Sequence, residues 1–195
     1  MKKILVAYTT DSGSTADVAQ AIGEELRDDA LQVEVRRIEE VSSVEPYAAA
    51  VIGAPMIMGW HNKAIKFIQK HQPALSGMPV AYFLTAMSLT QTPQTEIAGT
   101  PIFVDSGLAK PPKDANRLGF KERYTLPAHY LEPVLKAAPL IKPVSVAYFG
   151  GKLNLFRLKW WAKLFVLIAI QATPGDYRNW TAIKEWAGGL RAKLS

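Results

Sequence analysis

The hydrophobic positions fall into two rhythms that alternate along the chain. Residues 3–8 (KILVAY), 49–55 (AAVIGAP), 78–86 (MPVAYFLTA) and 142–151 (KPVSVAYFGG) are almost continuously apolar, while residues 31–38 (LQVEVRRI) alternate. Apolar runs of this length fit strands covered on both faces, as in a parallel sheet. Between them the apolar spacing lengthens to three and four. Val18, Ile22 and Leu26 share one face of residues 14–29, with Glu24, Glu25, Asp28 and Asp29 turned towards the other side. Ala64, Ile65 and Ile68 share a face of residues 61–72, and Ile183, Ala187, Leu190 and Leu194 share a face of residues 179–194. This strand–helix alternation predicts an α/β fold with a doubly wound, five-stranded parallel sheet, forming a single domain over residues 1–195.

Two segments break the rhythm. Residues 88–127 carry Pro93, Pro101, Pro111, Pro112 and Pro127 with few apolar runs. A connection that long reads as an insertion serving as a lid or a binding loop. Residues 152–172 (KLNLFRLKWWAKLFVLIAIQA) are both apolar and basic. A helix over about 152–171 places Lys152, Lys159 and Lys163 within about 40° of one another, at 100° per residue. Leu158, Trp161, Leu164, Phe165 and Ile168 then occupy the opposite side. The apolar run after Lys163 is too short to span a bilayer, which takes about 20 residues.

Composition narrows the chemistry. The chain has 195 residues, 49% of them hydrophobic, enough for one sizeable core. It has no cysteine, which excludes disulfides, thiolate nucleophiles and cysteine-ligated iron–sulfur clusters and fits a reducing compartment. The run from Ile4 to Tyr8 is too short for the hydrophobic region of a signal peptide and reads as a first strand. His61, His71 and His129 are scattered without metal-ligand spacing, so no metal site is expected and no catalytic residue stands out. The net charge of +6 is unevenly placed: residues 1–150 hold 15 Lys+Arg and 15 Asp+Glu, whereas residues 151–195 hold 8 and 2. A basic C-terminal quarter on a neutral body points to one surface that meets something anionic.

The stretch YTTDSGSTADVA, residues 8–19, sits between the first strand and the first helix. In an open α/β sheet, ligands bind outside the carboxyl ends of the strands, and the helix that follows aims its free N–H groups and positive dipole end there. Thr9, Thr10, Ser12, Ser14 and Thr15 supply small hydroxyl side chains, and Gly13 permits a backbone shape that a Cβ hinders. The loop has no lysine and no G-x-G-x-x-G pattern, so neither a Walker loop nor a dinucleotide site is present. Hydroxyls and amides alone suit the phosphate of a mononucleotide. The plainer alternative is an N-cap by Ser12 or Asp11, with the other residues incidental.

Thr10-Asp11-Ser12-Gly13-Ser14-Thr15 resembles the T-x-[ST]-G-x-T phosphate loop of flavodoxin-like proteins, which bind FMN. Residues 51–83 (VIGAPMIMGWHNKAIKFIQKHQPALSGMPVAYF), Trp160-Trp161 and residues 179–187 (NWTAIKEWA) are similar to the menaquinone-dependent protoporphyrinogen dehydrogenases, a flavodoxin-like family. The resemblance covers residues 1–87 and 142–190 and leaves out 91–127. It implies strand order 2-1-3-4-5, an FMN cofactor and three contributing loops. Thr10, Asp11, Ser12, Gly13, Ser14 and Thr15 would hold the phosphate. Ala54, Pro55, Met56, Ile57, Met58, Gly59 and Trp60 would border the isoalloxazine ring, with Trp60 either stacking on it or packing against the helix that follows. Thr85, Ala86 and Met87 would border the other edge. His61 stands where an N-cap would. Residues 85–92 lack the aromatic that flavodoxin carriers usually place there, so Phe103, Phe120 or Tyr124 of the insertion covers the ring, or one face is open.

The expected function is that of an FMN-dependent oxidoreductase passing electrons between a hydrophobic substrate, as in protoporphyrinogen oxidation, and a quinone-type acceptor. The basic segment is expected to lie on an anionic membrane through Lys152, Lys159, Lys163, Trp160 and Trp161. This would make the protein cytoplasmic and peripheral on the inner face of the cell membrane. The alternative for that segment is a buried helix whose lysines reach solvent. Nucleic acid is not an expected partner, because no motif for it is present. The alternative function is a flavodoxin-type electron carrier without its own substrate, and the positive net charge runs against the acidic character usual for such carriers.

Overall fold

The computed structural model describes residues 1–56, 59–114, 116–153 and 175–194. Strand β1 (Lys2–Tyr8) leads into helix α1 (Ser14–Leu26) and β2 (Leu31–Arg37). Then follow β3 (Ala49–Pro55), α2 (Asn62–Lys70), the single turn α3 (Gln72–Leu75) and β4 (Val80–Ala86). Four short strands come next: β5 (Leu89–Thr90), β6 (Glu96–Ile97), β7 (Thr100–Val104) and β8 (Ala109–Lys110). Helices α4 (Phe120–Tyr124) and α5 (Pro127–Ala137) return the chain to β9 (Ser145–Gly150). The pair β10 (Lys152–Leu153) and β11 (Gly175–Asp176) precedes α6 (Trp180–Leu194).

The sheet runs β2-β1-β3-β4-β9-β7-β6. Its first five strands are parallel and have the expected 2-1-3-4-5 order. The count of five is corrected to seven, because the insertion extends the sheet. Ile102–Val104 of β7 pair in parallel with Val146–Tyr148 of β9, and β6 folds back on β7 through a two-residue turn. Pro101 sits near the start of β7, where it leaves the pairing with β9 to the three residues after it. Residues 88–127 are therefore part of the scaffold as well as a loop.

Alternation along each strand divides the core into two layers. Leu5, Ala7, Ile52, Tyr82, Leu84 and Tyr148 face α2 and α5, whereas Ile4, Val6, Val51, Phe83, Ala147 and Phe149 face α1 and α6. Both faces of β3, β4 and β9 are buried, which accounts for their unbroken apolar sequences. Helix α5 does not announce itself in the sequence, since it begins at Pro127 and carries Pro133 inside. Pro127 falls in the first turn, where no N–H is needed. Burial of Tyr130, Leu131 and Val134 holds the rest.

The expected helix over about 152–171 does not begin at Lys152. Lys152 and Leu153 are extended, paired antiparallel with Asp176 and Gly175, and a ladder of this kind fixes both residues away from helical geometry. The chain thus leaves and returns at one point beside the end of β9. There Gly150 is packed so closely that a Cβ would stand 1.9 Å from the Tyr177 carbonyl oxygen. Lys159, Trp160, Trp161 and Lys163 lie outside the described residues. Among the described residues, no helix is long and apolar enough to cross a membrane.

Candidate functional site

The carboxyl ends of β1, β3 and β4 lie side by side at the point where the chain reverses its direction of winding across the sheet. The loop after β1 is shaped from within. Gly13 N–H donates to Thr10 Oγ1 (2.9 Å), and Gly13 itself takes φ +95°, the left-handed region. A side chain there would be strained, which explains the glycine. Gly13 is the N-cap of α1, and no side chain caps the helix. Neither Ser12 nor Asp11 fills the capping role that the plainer sequence reading assigned to them. Among the described residues, the backbone N–H groups of Ser14 and Thr15 have no partner. The first turn of α1 therefore presents free donors, and its dipole, to the carboxyl edge.

Three hydrogen bonds tie this loop to its neighbours. Thr9 N–H donates to Gly53 O of β3 (3.0 Å). The Thr15 and Thr85 hydroxyls lie 3.0 Å apart and are both buried, which joins the start of α1 to the end of β4. His61 Nε2 stands 3.3 Å from Asp11 Oδ1, while Nδ1 accepts the Lys63 N–H (3.2 Å). The network assigns the proton to Nε2, so that the neutral ring caps α2 with one nitrogen and holds Asp11 with the other. His61 is thus the cap expected of it. Its second contact, to Asp11 fifty residues away, has no signal in the sequence.

The loop after β3 is closed by an antiparallel bridge between Met56 and Trp60, with Gly59 at φ +111°. Ala54, Met56 and Trp60 are buried and Pro55 is half-buried. The Trp60 indole lies against the Tyr82 ring, with centroids 5.3 Å apart. Its place in this structure is in the core rather than on the open side of the loop, because the bridge turns residue 60 inward. Ile57 and Met58 lie outside the described residues. Behind the loop after β4, Thr85 and Ala86 are buried and Met87 is half-buried. Of the three insertion aromatics, Phe103 lies on the sheet face against Phe149 (6.1 Å between centroids). Tyr124 packs on His129 and Tyr130. Phe120 is exposed.

Both acids near the start of α1 are engaged by other side chains. Asp17, in its first turn, is paired with Arg178 (2.6 Å). Arg178 also binds Asp176 and lies over the Trp180 ring, 4.6 Å from its centroid. Its guanidinium holds the Asp176 carboxyl below its ordinary value, through a side-chain hydrogen bond first of all. Asp11, the one charged side chain of residues 9–15, is held by His61. Among the described residues, no cluster of three metal-ligating side chains occurs. Sequence reasoning missed Arg178 and Asp17, which come together across 161 residues.

A parallel sheet in this order, with an uncapped glycine-turned helix start at its switch point, defines a flavodoxin-like domain. A model of the flavodoxin domain matches residues 5–178, and the chain belongs to that family. Membership makes FMN the cofactor, and the free N–H groups, hydroxyls and absence of a lysine at the start of α1 fit a phosphate. The chain is 29% identical over 100 residues to the protoporphyrinogen IX dehydrogenase (quinone) of Escherichia coli (strain K12). That match covers 48% of this chain and 55% of the relative, so the chain spans about half the length of the curated relatives it matches. A flavodoxin from the domain Archaea superposes with a TM-score of 0.52 at 12% identity, covering 98% of both chains. A Fusobacterium nucleatum flavodoxin mutant bound to flavin mononucleotide matches 44% of this chain and 52% of its own, at 17% identity and a TM-score of 0.36.

Proposed function

We propose that the protein is an FMN-dependent oxidoreductase that transfers electrons between a hydrophobic substrate and a quinone-type acceptor. The reading rests above all on the start of α1, where a left-handed Gly13 precedes the unpaired N–H groups of Ser14 and Thr15 in a hydroxyl-rich loop. In this reading those N–H groups and the side chains of Thr10, Ser12, Ser14 and Thr15 hold the phosphate. The backbone of residues 54–60 and 85–87 borders the ring, and Asp11 with His61 holds the first two loops together. Bound flavin supplies the redox chemistry, so the residues bind, orient and exclude water. Protoporphyrinogen is the proposed substrate, by likeness to the curated relative. The proposed working place is the inner face of a membrane, reached in part through Lys152, Lys159, Lys163, Trp160 and Trp161.

The visible spectrum of purified protein, followed by FMN titration, tests the cofactor. Quenching of flavin fluorescence at one equivalent is expected, and its absence with excess FMN would refute the site. Reduction followed by addition of a menaquinone analogue tests the acceptor. Prompt reoxidation without oxygen is expected. A flavin that the quinone leaves reduced, and that only a protein partner oxidises, would make the chain an electron carrier instead.

A further inference from the structure

The chain between β8 and α5 builds a compact tip on the insertion. Glu122 closes it, for its carboxylate accepts the backbone N–H of Lys113 (2.8 Å) and that of Gly119 (2.6 Å). These two bonds, Lys113 first, hold the Glu122 carboxyl below its ordinary value. Asp114 accepts the N–H of Asn116 (2.8 Å) in the same way. Both acids of the tip are thus engaged by its own backbone. Lys110, Lys113, Arg117 and Arg123, in and beside this stretch, are exposed. Phe120, in the same stretch, is 82% exposed and stacks one face towards the Tyr124 ring (6.4 Å between centroids). The tip is also fastened to the rim of the cofactor site. Thr90 Oγ1 donates to Glu122 O (2.8 Å) and pairs with Thr125 Oγ1 (2.8 Å), and Thr90 N–H donates to Thr125 O (2.9 Å).

We propose that this tip docks on an anionic phospholipid surface, with Phe120 entering the headgroup layer and Lys110, Lys113, Arg117 and Arg123 meeting lipid phosphates. A stable protein interface needs roughly 800 Å² per partner around an apolar centre, which one side chain does not supply. A bilayer accepts a single aromatic at its interface and sums the attraction of separate cations. Because the tip is tied to the loop after β4, docking brings the carboxyl edge of the sheet towards the membrane, where a hydrophobic quinone dissolves. The inference extends the proposed membrane reading and adds a contact apart from residues 152–171.

Flotation of the FMN-incubated full chain with phosphatidylcholine vesicles, with and without phosphatidylglycerol, tests it. Wild-type protein is expected to float with the anionic vesicles alone and to release as salt shortens the Debye length. One interfacial cation is worth about fivefold in partitioning, so K113E/R117E is expected to bind at least tenfold less. Phe120→Ser is expected to bind several-fold less, while K113R/R117K binds like wild type. These side chains are exposed, so circular dichroism and flavin quenching should be unchanged. Tip variants that float like wild type, while K159E/K163E does not, would overturn the tip and leave the segment after β10 as the contact. Equal flotation with neutral vesicles would overturn it as well. Wild-type protein that binds neither vesicle at low salt would overturn both membrane contacts and leave the basic tip to an acidic protein, whereas quinone reoxidation would stand or fall independently.

Discussion

Replacing Thr15 with valine removes one hydroxyl from a buried pair and leaves the shape nearly unchanged. Thr15 is 0% and Thr85 4% exposed, and their oxygens are 3.0 Å apart. In Thr15→Val the Thr85 hydroxyl is left buried without that partner, at a cost of about 1–3 kcal/mol. Thr85→Val has the mirror effect. In the double variant both polar groups are gone, and replacing both partners with apolar groups of the same shape is nearly neutral. The two costs should therefore fail to add, with a coupling of about 1–2 kcal/mol. Urea unfolding of the FMN-free protein measures this directly, and thermal midpoints should fall by about 2–4 °C per kcal/mol for a domain of this size. Flavin titration gives a second readout. Thr15 belongs to the proposed phosphate loop, so Thr15→Val should weaken FMN by about tenfold or more, whereas Thr85→Val should weaken it less. Single variants within about 0.3 kcal/mol of wild type, summing simply in the double, would refute the idea that this hydroxyl pair ties α1 to β4.

Gly13→Ala places a Cβ at φ +95° and should cost about 1–2 kcal/mol of stability and weaken FMN further, read by urea midpoints and titration. Ala98, at φ +50° beside Gly99 at +75°, occupies the turn between β6 and β7, so Ala98→Asn should raise stability by about 0.5–1 kcal/mol. Glu122→Gln should loosen residues 113–119, read by amide exchange at Lys113 and Gly119. The Glu122 carboxyl is lowered in the folded state, so its contribution is present above the ordinary glutamate value of 4.5 and is lost as pH falls through the folded value. Exchange in the wild type and in Glu122→Gln should therefore converge in acid, and a difference that persists there would count against the carboxylate.

Much of this protein was legible in its sequence, because strand and helix periodicity are local properties. The double burial of β3, β4 and β9 follows from unbroken apolar runs, and the helices α1, α2 and α6 follow from spacing. The turn at Gly13 was legible for the same reason, since a left-handed glycine acts on the backbone where it stands. Tertiary structure decided the rest. β7 reads as part of a proline-rich loop until β9 offers it an edge, since a three-residue parallel pairing has no signature of its own. Trp60 looks the same in sequence whether it faces a ligand or the core, and the Met56 bridge decides that it turns inward against Tyr82. Asp11 with His61, Thr15 with Thr85 and Asp17 with Arg178 are separated by 50, 70 and 161 positions. Such partners meet only because parallel crossovers return each strand end to the same edge, and that edge is where the candidate site is assembled.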